Sequence, residues 1–243
     1  MAERIRVYVR IRPAAGDNPS QIEEEDADAN YEFLSSENED NSKHNQISKR
    51  LRLKNKVFTI DGVLPPTAQQ TDVHHHVATH PIDSFLQGFN TTIFAYGQTG
   101  SGKTHTIFGS NGNTHSQPST SNHDQEKSLK SAFGLVPRCF VNVLQRLQSS
   151  HHIRKYEINL SCVEVYNTTL RDLFRPQNSI NLKLREDSKS KGFFVENLSE
   201  EPIETNEELI LLVKRIQFNR SVSSTNMNAA SSRSHVILQL RLI

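Results

Sequence analysis

The sequence predicts an α/β fold, a central and mostly parallel sheet with helices on both faces, and three observations carry that expectation. Thr91-Thr92-Ile93-Phe94-Ala95-Tyr96 is a short run of apolar, β-branched and aromatic residues, the composition of a strand buried on both faces of a parallel sheet. Gly97-Gln98-Thr99-Gly100-Ser101-Gly102-Lys103-Thr104 follows it directly, as a glycine-rich loop leaving a strand end does. Segments of strand period and of helix period succeed one another along the rest of the chain. In the glycine-rich loop, residues without a Cβ let the backbone turn successive N–H groups inward as an anion nest. Lys103 is then expected to reach terminal phosphates and the Thr104 hydroxyl to hold magnesium. The competing reading, a glycine-rich turn that happens to precede a lysine, leaves the preceding strand pattern unexplained. The loop by itself specifies a nucleoside triphosphate and not a reaction.

The bulk composition bounds the rest. At 243 residues the chain is long enough for one large domain with a real core. Hydrophobic residues make up 35% and tryptophan is absent, so much of the polarity is expected in long loops. Residues 14–46, with Glu23-Glu24-Glu25-Asp26, and residues 110–131, rich in Ser, Asn, His and Gln, read as solvated insertions within one domain spanning 1–243. A formal net charge of +1 gives no global polyanion-binding signal, so no nucleic-acid partner is expected. Cys139 and Cys162 each sit in an apolar stretch, as buried thiols of a reducing compartment do. No apolar run approaches a membrane span and no secretory core follows Met1, which predicts a cytoplasmic protein without membrane insertion.

Taken in order, Ile5, Val7, Val9 and Ile11 alternate with polar neighbours as a period-two strand that Pro13 stops. A strand pair is expected at 47–53 and 56–60, ending at Asp61-Gly62. A helix follows from Thr71, with Val73, Val77, Phe85 and Leu86 on its apolar face and Gly88 as its stop. It carries His74-His75-His76 and His80; His76 and His80 share helical spacing for metal ligation, but no cysteine or carboxylate completes a set, so a solvated helix face is preferred to zinc. A short helix from Lys103 is interrupted by the polar insertion and resumes at Gly134, with Phe140, Val143, Leu144 and Leu147 at helical spacing. A long strand is expected from about Arg154 to Val165, with Tyr156, Ile158, Leu160 and Cys162 on one face, then a short helical segment from Leu170 to Phe174 before Pro176. Residues 182–186 and 192–196 form a hairpin pattern whose turn carries Lys189 and Lys191. Thr205 and Glu208 then form a capping box ahead of the stripe Leu209, Leu212, Val213 and Ile216, with Lys214, Arg215 and Arg220 crowding the helix C-terminus.

That helix is expected to give way to the serine-rich loop from Ser221 to His235, before a strand from Val236 to Leu242. A flexible linker and an active loop both fit this composition. Hydroxyls with one arginine beside a phosphate loop can hold magnesium, its waters and an attacking water, while the arginine latches the loop.

The motifs together resemble the kinesin motor domain. Ile93-Phe94-Ala95-Tyr96 with Gly97 to Thr104 is similar to the family's nucleotide loop, and Asn228-Ala229-Ala230-Ser231-Ser232-Arg233-Ser234-His235 to its switch I signature. Arg10-Ile11-Arg12-Pro13, Gly134-Leu135-Val136-Pro137-Arg138 and Val163-Glu164-Val165-Tyr166-Asn167 match in the same order. The resemblance implies a P-loop NTPase fold and an ATP-dependent microtubule motor. It implies that Arg10, Arg12 and Pro13 border the adenine and His105 stacks on it, while Gly97, Gln98, Thr99, Gly100, Ser101, Gly102, Lys103 and Thr104 wrap the phosphates. By the same resemblance Thr104 and Ser232 serve Mg2+, Ser231 and Ser232 close on the γ-phosphate and its water, and Arg233 latches the switches. It implies that tubulin meets the hairpin turn near Lys189 and Lys191; an ordinary exposed turn explains those lysines equally well.

Asn167-Thr168 replaces the family's Asn-Glu, and the loop at 110–131 is longer and more polar than typical. No Asp-Leu-Ala-Gly-Ser-Glu segment, the family's switch II, follows the strand that ends at Ile243, and no dimerisation segment is present. The chain therefore reads as a C-terminally truncated motor domain. Because one preorganised contributor is typically worth a factor of about 100 to 1,000 in rate, little turnover is expected of it alone. The alternatives are a non-catalytic nucleotide-binding or microtubule-interaction protein of motor descent and, less compatible with the ordered motifs, an unrelated P-loop enzyme.

Overall fold

Tyr8–Arg10 forms strand β1, with each of its three residues half-buried. The computed structural model describes residues 4–13, 31–34, 47, 49–110, 133–150, 155–187, 192–226 and 234–243, in two units, Met1–Cys139 and Phe140–Ile243. In the first unit β2 (Tyr31–Leu34), β3 (Arg50–Leu53) and β4 (Lys56–Thr59) make an antiparallel sheet, while β5 (Gly62–Leu64) lies parallel to β1. The strand β2 falls inside the segment expected to be a solvated insertion. Its Tyr31, Phe33 and Leu34 supply β-forming residues that pair with β3 despite the polar flanks. Burial in the strand preceding the first turn is weaker than its alternation suggests, with Ile5 and Val7 exposed. The Asp61 carboxylate holds this lead-in by accepting the Val7 N–H at 2.8 Å and pairing with Arg4 at 2.6 Å.

The expected helix after Pro66 begins one residue earlier, as α1 (Gln70–Val73), and continues through a π-helical turn, His74–Ala78, into α2 (Thr79–Leu86). Pro81 explains the π turn. A proline in a helix lacks the donor for residue i−4 and its ring crowds that carbonyl, so the wider turn upstream accommodates it. Gly88, at φ 90°, ends the run as expected.

Thr91 to Tyr96 does not form the expected strand. The segment joins no ladder among the described residues, and Phe94 and Tyr96 are 71% and 95% exposed. Apolar composition supports a buried strand only where neighbouring strands supply backbone partners, and none of the described strands lies alongside it. Beyond the glycine loop, α3 (Lys103–Phe108) is brief, and α4 runs over Leu135–Ser149.

The second unit is organised on β6 (Ile158–Tyr166), which is buried on both faces, with Ile158, Leu160 and Cys162 at most 1% exposed. Burial pushes the Cys162 thiol well above the usual range. The segment around Leu170 is a strand and not the expected helix. Asn167 adopts φ 52°, a left-handed turn conformation that asparagine tolerates, so β7 (Thr169–Asp172) folds straight back along β6. A 3₁₀ turn, Pro176–Asn181, and the expected hairpin of β8 (Lys183–Asp187) and β9 (Gly192–Glu196) follow, with β10 (Glu201–Pro202) pairing β6. Lys189 and Lys191 lie outside the described residues.

The capped helix is α5 (Asn206–Asn226). The Glu208 N–H donates to Thr205 Oγ1 at 3.2 Å and the Thr205 N–H to Glu208 Oε2 at 3.1 Å, the expected capping box. The helix outlasts its expected end: Ser221 satisfies its hydroxyl on the Phe218 carbonyl at 2.7 Å instead of leaving the helix. Lys214, Arg215 and Arg220 therefore precede the last turn, which carries no basic residue. Finally β11 (Ser234–Leu242) pairs antiparallel with β6 from Ser234↔Tyr166 to Leu242↔Ile158. The α/β character is as predicted. Among the described ladders, β1 with β5 is parallel and the others are antiparallel.

Asp172, wholly buried, anchors the turn after β7 by accepting the N–H groups of Phe174 (2.8 Å), Arg175 (3.0 Å) and Ser199 (2.9 Å). Asp172→Ala strands these donors and is expected to destabilise the protein by about 3 kcal/mol or more, read as a lowered urea midpoint. Asp172→Asn, which keeps one acceptor, is expected to fall between.

Candidate functional site

The glycine loop takes its shape from backbone conformations that side chains resist. Gly100 and Gly102 sit at φ 82° and 95°, and a Cβ at Gly97 would come within 2.6 Å of Ser101 Oγ. The Ser101 N–H closes a turn onto the Gln98 carbonyl at 3.2 Å, and the Thr106 N–H opens α3 on the Gly102 carbonyl at 2.9 Å. Lys103 folds back over the arc, its Nζ donating to the carbonyls of Gly97 at 2.8 Å and Gln98 at 2.7 Å. The ammonium thus sits across the loop from which a phosphate would be gripped. Thr104 is exposed beside it.

Arg10 and Arg12 leave β1 towards this loop by different routes. The Arg12 guanidinium donates to the Gly100 carbonyl, which brings it to the glycine loop. The half-buried Arg10 donates to Gln70 Oε1 and Thr106 Oγ1, each at 3.0 Å, and to the Ala68 carbonyl at 3.4 Å. Desolvation lowers its proton affinity, and nearby Asp72 partly restores it. Gln70 in turn donates to the His105 carbonyl at 2.7 Å. Burial first, and then Arg10, hold the His105 ring below its ordinary pKa. Pro13, Tyr96, Ser101 and Lys103 help to line the same cavity of about 1,230 Å³, with Arg10 and His105.

The structure therefore brings Arg10, Arg12, Pro13, Lys103 and His105 to one cavity on the first unit. Ser231, Ser232 and Arg233 lie outside the described residues. Sequence reasoning missed Gln70 and Thr106. The signal for Gln70 was a polar residue three positions before Val73 on the buried stripe of its helix, where it is only 6% exposed. Gly134 closes the far end of α3: a Cβ there would meet the Gly109 nitrogen at 2.4 Å, which accounts for glycine at the start of α4.

The histidine run makes no metal centre in this arrangement. Among the described residues, no three His, Cys, Asp or Glu side chains converge as a metal set. His75 and His76 meet edge to face at 5.0 Å, and His74 Nε2 is buried without a hydrogen-bond partner. No helix among the described residues is long and apolar enough to cross a membrane.

The kinesin motor domain family model matches residues 10–243. Kinesin-like protein KIN-14E of Arabidopsis thaliana is 35% identical over 241 residues, covering 99% of this chain and 17% of that protein. Kinesin-like protein KIN-12D of the same plant is 37% identical over 185 residues, 74% of this chain and 6% of that one, and the kinesin heavy chain of Botryotinia fuckeliana is 35% identical, covering 76% and 19%. The solved structure of a fast kinesin, described for its ATPase mechanism and its interactions with microtubules, superposes with a TM-score of 0.74 at 28% identity, covering 98% of this chain and 59% of that one. The chain thus spans under a fifth of the length of these curated relatives.

Burial and then Arg138 and His75 depress the His74 pKa from 6.5, and burial and then His75 depress that of His76. Between the depressed values and about 6.5 the unfolded chain binds more protons than the folded one, so stability falls as pH drops through that window. Urea unfolding at stepped pH is expected to show this slope, and His74→Phe to flatten it. A wild-type profile without slope below pH 6.5 overturns the assignment.

Proposed function

The chain belongs to the kinesin motor domain family, and from that premise we propose that it forms the nucleotide-binding part of an ATP-dependent microtubule motor, acting at the cytoskeleton. The observation that carries the proposal is the glycine loop. Gly100 and Gly102 hold left-handed backbone conformations, and Lys103 spans the arc with its ammonium. An exchange of the Gly97 and Gln98 carbonyls for phosphate oxygens would give that ammonium a charged partner and a stronger hydrogen bond.

In this reading Gly97 to Thr104 wrap the triphosphate, Arg12 braces the loop at Gly100, and His105 and Pro13 flank the base with Arg10 behind them. Thr104 and Ser232 are the residues that would hold magnesium, which when bound neutralises charge on the phosphates. The chemistry is in-line attack of water on the γ-phosphate, with Ser231 and Ser232 orienting that water and Arg233 latching the loop. The hairpin of β8 and β9 offers the turn with Lys189 and Lys191 to the acidic face of tubulin.

The test is binding and turnover in the purified protein. Fluorescent ATP analogue binding is expected, with phosphate release that is slow by itself and rises on addition of microtubules. Lys103→Ala is expected to lower release by about 100-fold or more, since it removes a preorganised charge from the developing phosphate. Nucleotide binding with no microtubule-stimulated release would favour the non-catalytic alternative, and failure to bind any nucleotide would overturn the proposal.

A further inference from the structure

Gln70 has every polar atom of its side chain engaged while almost wholly buried. Its Oε1 accepts from Arg10 at 3.0 Å. Its Nε2 donates to the His105 carbonyl at 2.7 Å and faces the imidazole of the same residue, 3.2 Å from Nδ1 and 3.4 Å from Nε2. Arg10 can only donate, so the oxygen of the amide must face it and the nitrogen must face His105. Near-equal distances to the two ring nitrogens place the amide over the face of the ring and not along either lone pair, so Gln70 packs against one side of the imidazole.

One amide therefore joins three elements. Arg10 stands on β1, Gln70 opens α1, and His105 lies on α3 two residues beyond Lys103. Arg10 also reaches Thr106 of α3, so the helix is held from two adjacent positions. Such a fully satisfied buried network permits one arrangement, because any shift of a member leaves a polar group unpaired. His105 as a whole residue is exposed.

We propose that Gln70 is a positioning residue for the base end of the nucleotide site, fixing the His105 ring in one orientation against an aromatic base while the phosphate loop grips the other end. The inference rests on the nucleotide reading above and deepens it. It separates the site into two parts with different dependence on Gln70. Binding of the base uses the held ring, whereas binding of bare phosphates uses the loop and Lys103.

The experiment compares wild type with Gln70→Met, which keeps length but loses donor and acceptor, and Gln70→Glu, which keeps an acceptor for Arg10 but loses the donor to His105. Calorimetry measures ATP and inorganic tripolyphosphate separately, and ¹⁵N spectra report the His105 ring at mildly alkaline pH. Both variants are expected to bind ATP about tenfold more weakly, about 1.4 kcal/mol, and tripolyphosphate as wild type does. The His105 ring signals are expected to shift and broaden as the ring gains other orientations. Should Gln70→Met fail to fold, Gln70→Glu decides alone. ATP affinity unchanged by the variants, an equal loss for both ligands, or unaltered ring signals would each overturn the role of Gln70. Wild type that binds neither ligand would remove the nucleotide reading and this inference with it.

Discussion

A guanidinium that is half removed from water has to be surrounded by acceptors, and in the first unit this requirement on Arg10 orders the site. Its partners are Gln70, Thr106 and the Ala68 carbonyl, drawn from α1, α3 and the turn between β5 and α1. Breaking a buried charged network by deleting one member typically costs several kcal/mol, because the remaining charge is left without compensation. The strand, the first helix and α3 are therefore not free to drift separately. The glycine loop has its own tie to the chain after β1, through Arg12 at the Gly100 carbonyl.

The second unit repeats the same logic with a carboxylate. Asp172 is wholly buried, yet its oxygens are consumed by backbone N–H groups from the turn that follows β7 and from Ser199. The aspartate substitutes for secondary structure where the chain leaves the sheet and cannot pair with a neighbour. Leu173, the next residue, is wholly buried, and Val163, opposite Asp172 on β6, is 4% exposed, which gives such polar bonds a low-dielectric setting. In both units one ionised group organises irregular backbone, and the apolar residues make that organisation rigid.

What was legible beforehand was local. The glycine loop is set by residues adjacent in the chain, and so is the capping box of Thr205 and Glu208, whose reciprocal bonds stand at 3.1 and 3.2 Å. The buried stripe of Leu209, Leu212, Val213 and Ile216 follows from helical period alone. Errors clustered where a distant partner decides. Leu170 has good helical character, but Asn167 turns the chain back and β6 offers a full ladder, so a strand results. Thr91 to Tyr96 has strand composition without a described neighbour, and its aromatics stay exposed. The polar flanks of Tyr31–Leu34 concealed a strand that β3 recruits.

The amino-acid sequence by itself determined the glycine loop, the order of the motifs and hence the family, because glycines, a lysine and hydroxyls at fixed spacing act within a few residues of one another. Only the tertiary structure decided what stands behind that loop. Gln70 and Thr106 carry no motif, and they matter because folding brings them within 3.0 Å of a half-buried Arg10 that lies far from them in the chain. Burial of a charge demands particular partners, and the identity of those partners is a property of packing between elements, which spacing along the chain does not encode.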